Sequence, residues 1–260
     1  MEFKTILLSD SGPIATITLN RPDKRNAISF ELIDEFQRAL DTVSRGTSQI
    51  LIITGAGKAF SGGLDLENLK ALTGRTHEQN IQDSRTMARL FRTVYDIPKV
   101  TIAAVNGPAI AGGTGIATIC DFTIASTDAK FGYTEVRIGF VPAIVSTFLI
   151  HQVGEKHARD LLLTGRIFGA EEAYRMGLVT EVVAPENLMA RAQELAQSLL
   201  ENSPASLRAT KALLSRNVNA ELDAQIEVAI TENAAIRQTA DFREGITSFL
   251  EKRKPVWTTK

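Results

Sequence analysis

The chain has 260 residues, enough for one large domain or two small ones. With 44% hydrophobic residues, 23% charged residues and a net charge of -1, it has the makeup of a globular protein and no overall basic field for nucleic acid. One cysteine, Cys120, excludes an intramolecular disulfide and a multi-cysteine metal site, and no apolar run reaches the ~18 residues of a membrane span. The opening residues, MEFKTILLSDSG, show no signal-type apolar core, so a cytoplasmic protein is expected.

In chain order, Lys4–Leu8 and Ile14–Leu19 read as strands separated by Ser11-Gly12-Pro13. Ser29 is a candidate N-cap for an amphipathic helix over 30–45, with Leu32, Ile33, Phe36, Leu40 and Val43 at helical spacing. Ile50–Thr54 has the continuous apolar character of a buried strand. A glycine-rich loop follows it, and Asp65 and Leu66 begin a short helical turn. His77–Tyr95 reads as a long helix stopped by Pro98. Lys99–Val105 is the next strand and leads into the turn Asn106-Gly107-Pro108. Gly112-Gly113 then opens a short helical segment. Phe122–Ala125 and Lys130–Phe131 are short strand-like pieces.

After Pro142 the patterns are mostly helical, over 143–153, 157–164, 170–176, 186–201, 206–216, 223–238 and 241–252, with Leu178–Val183 able to add a strand. These elements predict an α/β core over 1–200 and a helical C-terminal region over 201–260.

Two glycine patterns invite a nucleotide reading and fail in detail. Gly55–Lys58 lacks the Ser or Thr after the lysine and the earlier glycine of a phosphate loop, and Gly113-Thr-Gly115-Ile-Ala-Thr118 lacks the last small residue of a dinucleotide fingerprint. No G-x-S-x-G elbow occurs, and His77, His151 and His157 are scattered over helical segments, so neither a serine triad nor a histidine metal site is supported. Cys120, inside an apolar run, reads as a buried small hydrophobe. What remains is a pair of glycine turns, each following a buried strand and opening a helix. Set side by side, two such turns aim backbone N–H groups at one oxygen, the arrangement of an oxyanion hole.

The residues in these turns resemble those of the crotonase, or enoyl-CoA hydratase/isomerase, superfamily. Ala59-Phe60-Ser61-Gly62-Gly63-Leu64-Asp65-Leu66 is similar to its A-F-x-x-G-x-D-[LI] loop. Asn106 to Gly113, running on to Cys120-Asp121, is similar to its N-G-x-A-x-G-G-G segment ending in C-D. Thr16–Ala27, Phe131–Val136, Thr164–Val179 and Gly245–Lys254 resemble further family segments, so the likeness spans nearly the whole chain in order.

The resemblance implies a spiral of ββα units with a helical C-terminal trimerisation region, assembled as a homotrimer or homohexamer. It implies an acyl-CoA thioester as substrate and no separate cofactor or metal, coenzyme A being part of the substrate. The amides of Leu64 and Gly112 would hold the thioester oxygen, and Glu135 would move the proton. Lys24, Arg25, Ala27, Ser61, Gly62, Gly63, Asp65, Leu66, Phe249 and Lys252 match positions around the substrate and coenzyme A, with Phe249 and Lys252 expected to close over the adenosine end of a neighbouring subunit's ligand. The chain departs from the two-carboxylate hydratases at Gly115, where they carry a second glutamate. Hydration then needs water to fill the space at Gly115.

The run Glu135-Val136-Arg137-Ile138-Gly139-Phe140-Val141-Pro142-Ala143 resembles single-glutamate, methylglutaconyl-CoA hydratase-like members, so the expected reaction is hydration of an enoyl-CoA. The alternatives are Δ3/Δ2-enoyl-CoA isomerisation, and a non-catalytic homologue binding coenzyme A or RNA. Arg137 is expected in a salt bridge within the core, or facing an acidic acyl tail. The 70–95 helix, the loop before it and Phe140–Ala143 are expected to shape the acyl pocket.

Overall fold

The structure is a computed structural model describing residues 2–258. Its centre is a six-stranded sheet of β1 (Ile6–Ser9), β2 (Ile14–Leu19), β3 (Ile50–Gly55), β4 (Val100–Val105), β6 (Phe122–Ser126) and β9 (Glu181–Val183), in that spatial order. Only β1 runs antiparallel, to β2; every later pair is parallel. Parallel strands covered on both faces need apolar residues throughout, and β3 and β4 show this: ILIITG is buried up to its last residue and VTIAAV along its whole length.

The strand period divides those side chains between two cores. Ile50 and Ile52 of β3, with Ile102 of β4, pack on α7 (Leu188–Leu200) through Leu188, Ala192 and Ala196. Leu51 and Ile53, with Ala103 and Val105, face the larger core. That core also holds α1 (Phe30–Arg45), α3 (His77–Asp96) and α5 (Ala143–Thr164). The α1 stripe of Leu32, Ile33, Phe36, Leu40 and Val43 is buried as its spacing predicts, and the Ser29 hydroxyl caps the helix by accepting from Leu32 N–H at 3.1 Å.

A second sheet joins three very short strands, β5 (Ala109–Ile110), β7 (Lys130–Gly132) and β8 (Ile167–Gly169). Strands this short carry no periodic signal, and neither β5 nor β8 was foreseen. The helical segments expected over 143–153 and 157–164 belong to α5, whose backbone breaks at Gly154 with φ 72° and ψ 169°. The remaining helices are α2 (Leu66–Leu72), α4 (Gly112–Thr118), α6 (Ala170–Arg175), α8 (Pro204–Arg216), α9 (Asn219–Ile236) and α10 (Ala240–Leu250). Among the described residues, no helix is long and apolar enough to cross a membrane.

The C-terminal helices fold back onto the first half of the chain. Leu222, Ile226, Ala229 and Ile230 of α9 join the larger core, against α3 and α5. Phe242 and Ile246 of α10 pack on Leu69 and Leu72 of α2. The glycines Gly139 and Gly245 allow a close approach: a Cβ at Gly245 would collide with the Ile138 carbonyl, and one at Gly139 with that of Asp241.

Candidate active site

The site lies beyond the C-terminal ends of β3 and β4, where parallel sheets present their loops. Asparagines hold the loop after β3. Asn26 Nδ2 donates to the carbonyls of Ala56 (2.9 Å) and Ala59 (2.7 Å), and Asn106 Nδ2 donates to that of Gly57 (2.9 Å). Asn26 and its neighbour Arg25 sit at φ 53° and 52°, a left-handed turn that asparagine tolerates. The loops after β3 and β4 are tied by Ser61 N–H to Pro108 O (3.1 Å) and Ile110 N–H to Ser61 O (2.9 Å). The Ser61 hydroxyl donates to Asn26 O at 2.9 Å. Gly63, at φ 87°, lies where a Cβ would stand 3.3 Å from the Ala111 Cβ, so the two turns touch.

This pairing decides where the amides point. Ile28 bridges Leu64 in parallel fashion, donating to Gly63 O (2.7 Å) and accepting from Asp65 N–H (3.0 Å). In such a bridge the residue opposite turns its own N–H away, so Leu64 N–H is left for a ligand. Gly112 is the first residue of α4, and its N–H has no carbonyl one turn before it to bond. Ala111, just before it, has φ 51° and ψ -123°, a conformation costly for a residue with a Cβ. The turn is held by Ala111 N–H to Gly132 O at 2.7 Å.

Glu135 opens a 3-10 turn over Glu135–Ile138 and is buried, with Oε2 unpartnered among the described residues. Burial pushes its pKa up to about 7, only partly opposed by its own backbone N–H. Gly115, three residues after Gly112, is the position of the missing second carboxylate. Water in that space was the condition set for hydration, and the structure closes the space. A Cβ at Gly115 would collide with the Phe91 ring and stand 2.6 Å from Val145 Cγ1, so two apolar side chains occupy the space. Phe91 was not singled out from the sequence, because a phenylalanine at helical spacing reads as ordinary core.

Leu64, Gly112 and Glu135 line one cavity of about 450 Å³, together with Gly62, Gly63 and Phe249 among the expected residues. Phe249 lines its own protomer's cavity. Ala27, Ser61, Asp65 and Leu66 do not line it, nor do Lys24, Arg25 and Lys252. Asp65 is the N-cap of α2, accepting from Glu67 N–H at 2.9 Å, and it accepts from Arg21 Nη2 at 2.8 Å. Burial works to raise its pKa, but the hydrogen bonds from Arg21 and the Glu67 amide outweigh it and hold the carboxyl below its ordinary range. The Ala27 carbonyl accepts from Arg21 Nη1 at 2.6 Å. Lys24 pairs with Glu67 at 3.3 Å, and Arg25 and Lys252 are exposed.

Arg137 is a further correction. It lies exposed at the cavity rim and, among the described residues, forms no ion pair; the core salt bridge expected of it is absent because its 3-10 turn faces outward there. Cys120 is buried, and burial pushes its thiol up to about 12. Met87 and Phe91 of α3 and Phe140–Ala143 line the cavity, with Ile144 and Val145 beside them, while the loop before α3 does not. Asp83, Asn233 and Arg237 also line it, and no sequence signal marked them.

Two amides without a partner among the described residues, one of them at a helix N-terminus, line one cavity with a buried carboxyl whose pKa is raised to about 7, an arrangement able to hold an oxyanion and move a proton. The enoyl-CoA hydratase/isomerase family model matches residues 9–260, and the chain belongs to that family. A relative from Thermus thermophilus is 44% identical over 247 residues, covering 95% of this chain and 98% of its own. The crotonyl-CoA hydratase of Syntrophomonas wolfei is 34% identical over 266 residues, covering 100% of both. An enoyl-CoA hydratase/isomerase from Xanthobacter autotrophicus superposes with a TM-score of 0.89 at 30% identity, covering 97% of this chain and 98% of that one.

Proposed function

We propose that the protein hydrates an α,β-unsaturated acyl-CoA. The observation carrying this reading is the unpartnered Oε2 of Glu135 in the cavity that also receives the Leu64 and Gly112 amides. The two N–H groups bind the thioester oxygen and stabilise it most when it carries the negative charge of the enolate. Glu135 takes a proton from water, the hydroxide oxygen bonds to the β-carbon, and the π electrons move toward the thioester oxygen. The protonated Glu135 then returns its proton to the α-carbon. One water has been added, and the carboxylate is restored. A group with pKa about 7 suits both halves of this cycle near neutral pH. The reaction requires no cofactor beyond the coenzyme A of the substrate.

One observation favours a second reading. The apolar filling beside Gly115 leaves Glu135 without a partner carboxylate to hold the water, and a lone carboxyl shuttling a proton between two carbons would isomerise a 3-enoyl-CoA instead. Product mass separates the two: crotonyl-CoA gaining the mass of one water supports hydration. A 3-enoyl-CoA converted at constant mass, with crotonyl-CoA unreacted, supports isomerisation. The exposed Leu213 and Leu214 of α8 and Val228 of α9 support self-association, read by light scattering as a trimer or hexamer.

A further inference from the structure

Among the described residues, no side chain holds the carboxyl of Glu135. Its Oε2 is unpartnered, and the hydrogen bond that its carboxyl does accept comes from its own backbone N–H. Where the carboxyl sits is therefore set by where its turn is held. Phe140 closes that turn: its N–H donates to Glu135 O at 3.0 Å, and the residue lines the same cavity.

Two side chains hold the Phe140 ring. The Phe242 ring packs on it with 5.4 Å between centres. The guanidinium of Arg237, at the C-terminal end of α9, stands over it, 5.1 Å from the ring centre. A cation at that distance is attracted by the negative face of the ring, and more strongly out of water; Arg237 is 4% exposed.

Arg237 is itself fixed. Its Nη1 donates to Asp83 Oδ2 (2.6 Å) and Asn80 Oδ1 (3.3 Å), and its Nη2 to Asn233 Oδ1 (2.5 Å). The acceptors are pinned in turn: Arg75 Nη1 donates to Asp83 Oδ1 at 2.9 Å, and Ser84 Oγ donates to Asn233 Oδ1 at 2.8 Å. A planar fork held at both tips keeps one orientation. Asn80, Asp83 and Ser84 belong to α3 and Asn233 to α9, so two helices of the larger core decide where the cation stands.

We infer that Arg237 is a positioning residue for Glu135: its guanidinium holds the Phe140 ring, and Phe140 holds the peptide from which the Glu135 carboxyl extends. This rests on Glu135 moving the proton, as proposed above. A purely structural Arg237, tying α3 to α9 through Asp83, needs no aromatic neighbour, so the electronic character of the ring separates the two roles.

Fluorinated phenylalanines at position 140 nearly keep the ring's shape while weakening its negative face. Turnover is measured on whichever of crotonyl-CoA and a 3-enoyl-CoA the parent converts. We expect kcat to fall stepwise from one to three fluorines, to roughly a tenth, while calorimetric affinity for the saturated butanoyl-CoA stays within about twofold. Arg237→Met should lower kcat by roughly tenfold to a hundredfold at unchanged affinity, and the fluorine series built into that variant should be flat. In the resting protein, hydrogen exchange at the Phe140 amide should quicken with each fluorine. A kcat indifferent to fluorination overturns the inference, and so does a folded Arg237→Met with the parent's kcat, or a loss confined to affinity. If Arg237→Met does not fold, the fluorine series in the otherwise unaltered chain decides by the same criteria. If the parent converts no enoyl-CoA, the proton-moving role of Glu135 falls, and Phe140 exchange alone judges the hold of Arg237: quicker exchange on fluorination sustains it, and unchanged exchange removes it.

Discussion

In the proposed hydration Glu135 serves as a base and then as an acid, and its burial suits it to both. Glu135→Gln keeps the shape but cannot take a proton, so kcat on crotonyl-CoA should fall by about 10²–10⁴-fold in a stopped assay. The parent's kcat/KM should rise with pH through about 7 as the carboxylate forms. The same group sets a stability profile. Its folded pKa is raised above the ordinary 4.5, so the folded state holds the proton more tightly, and stability present below pH 4.5 is lost as pH climbs toward 7. Relative to the parent, Glu135→Gln should therefore gain stability between pH 5 and pH 8, by up to about 3 kcal/mol, seen by urea unfolding at each end. Gly115 makes the opposite kind of prediction. Adding one methyl there forces Phe91 and Val145 apart, and Gly115→Ala should destabilise by about 1–3 kcal/mol. A second carboxylate cannot be installed at 115 without first making Phe91 smaller.

Among elements, the turn at Ala111 and the docking of α10 most directly shape the site. Ala111 holds a left-handed φ so that Gly112 can begin α4 with its amide free; Ala111→Gly should raise stability by up to about 1 kcal/mol, read as a rise in Tm. Helix α10 presses on the Glu135 turn through Gly245, and Gly245→Ala must push Ile138 away. We expect a lower Tm together with a lower kcat, although residue 245 touches no substrate. These cases show how far the sequence could be read. Long periodic elements such as α1 and buried strands such as β3 and β4 were legible, because apolar spacing is a local signal. The glycine turns were legible through their likeness to a family. The two-residue strand β5 was not, because it forms only by pairing with β7. Nor was the Asp83, Asn233 and Arg237 cluster. Asp83 lies 154 residues from Arg237, and nothing local marks a buried arginine.

For the whole molecule, the sheet supplies rigidity and the C-terminal helices complete the cavity. Lys24, Arg25 and Lys252 were expected near the ligand and lie outside the cavity lining, while Asp65 and Ser61 hold the Leu64 loop in place. Replacing Asp65 by Ala strands Arg21 and uncaps α2; it should cost about 3 kcal/mol or more in chemical unfolding and weaken catalysis through the displaced Leu64 amide.

Because the cavity joins Ile28 at one end of the chain to Phe249, Arg253 and Pro255 at the other, it has a consequence for biosynthesis. A nascent chain folds from its N-terminus as it emerges from the ribosome. The sheet and both amide turns can form while α9 and α10 are still being made. A half-made protein thus carries both amide turns but not the C-terminal residues that line the cavity with them. Enzymatic activity should appear only after α9 and α10 have emerged and docked, lagging behind sheet formation in a timed synthesis assay.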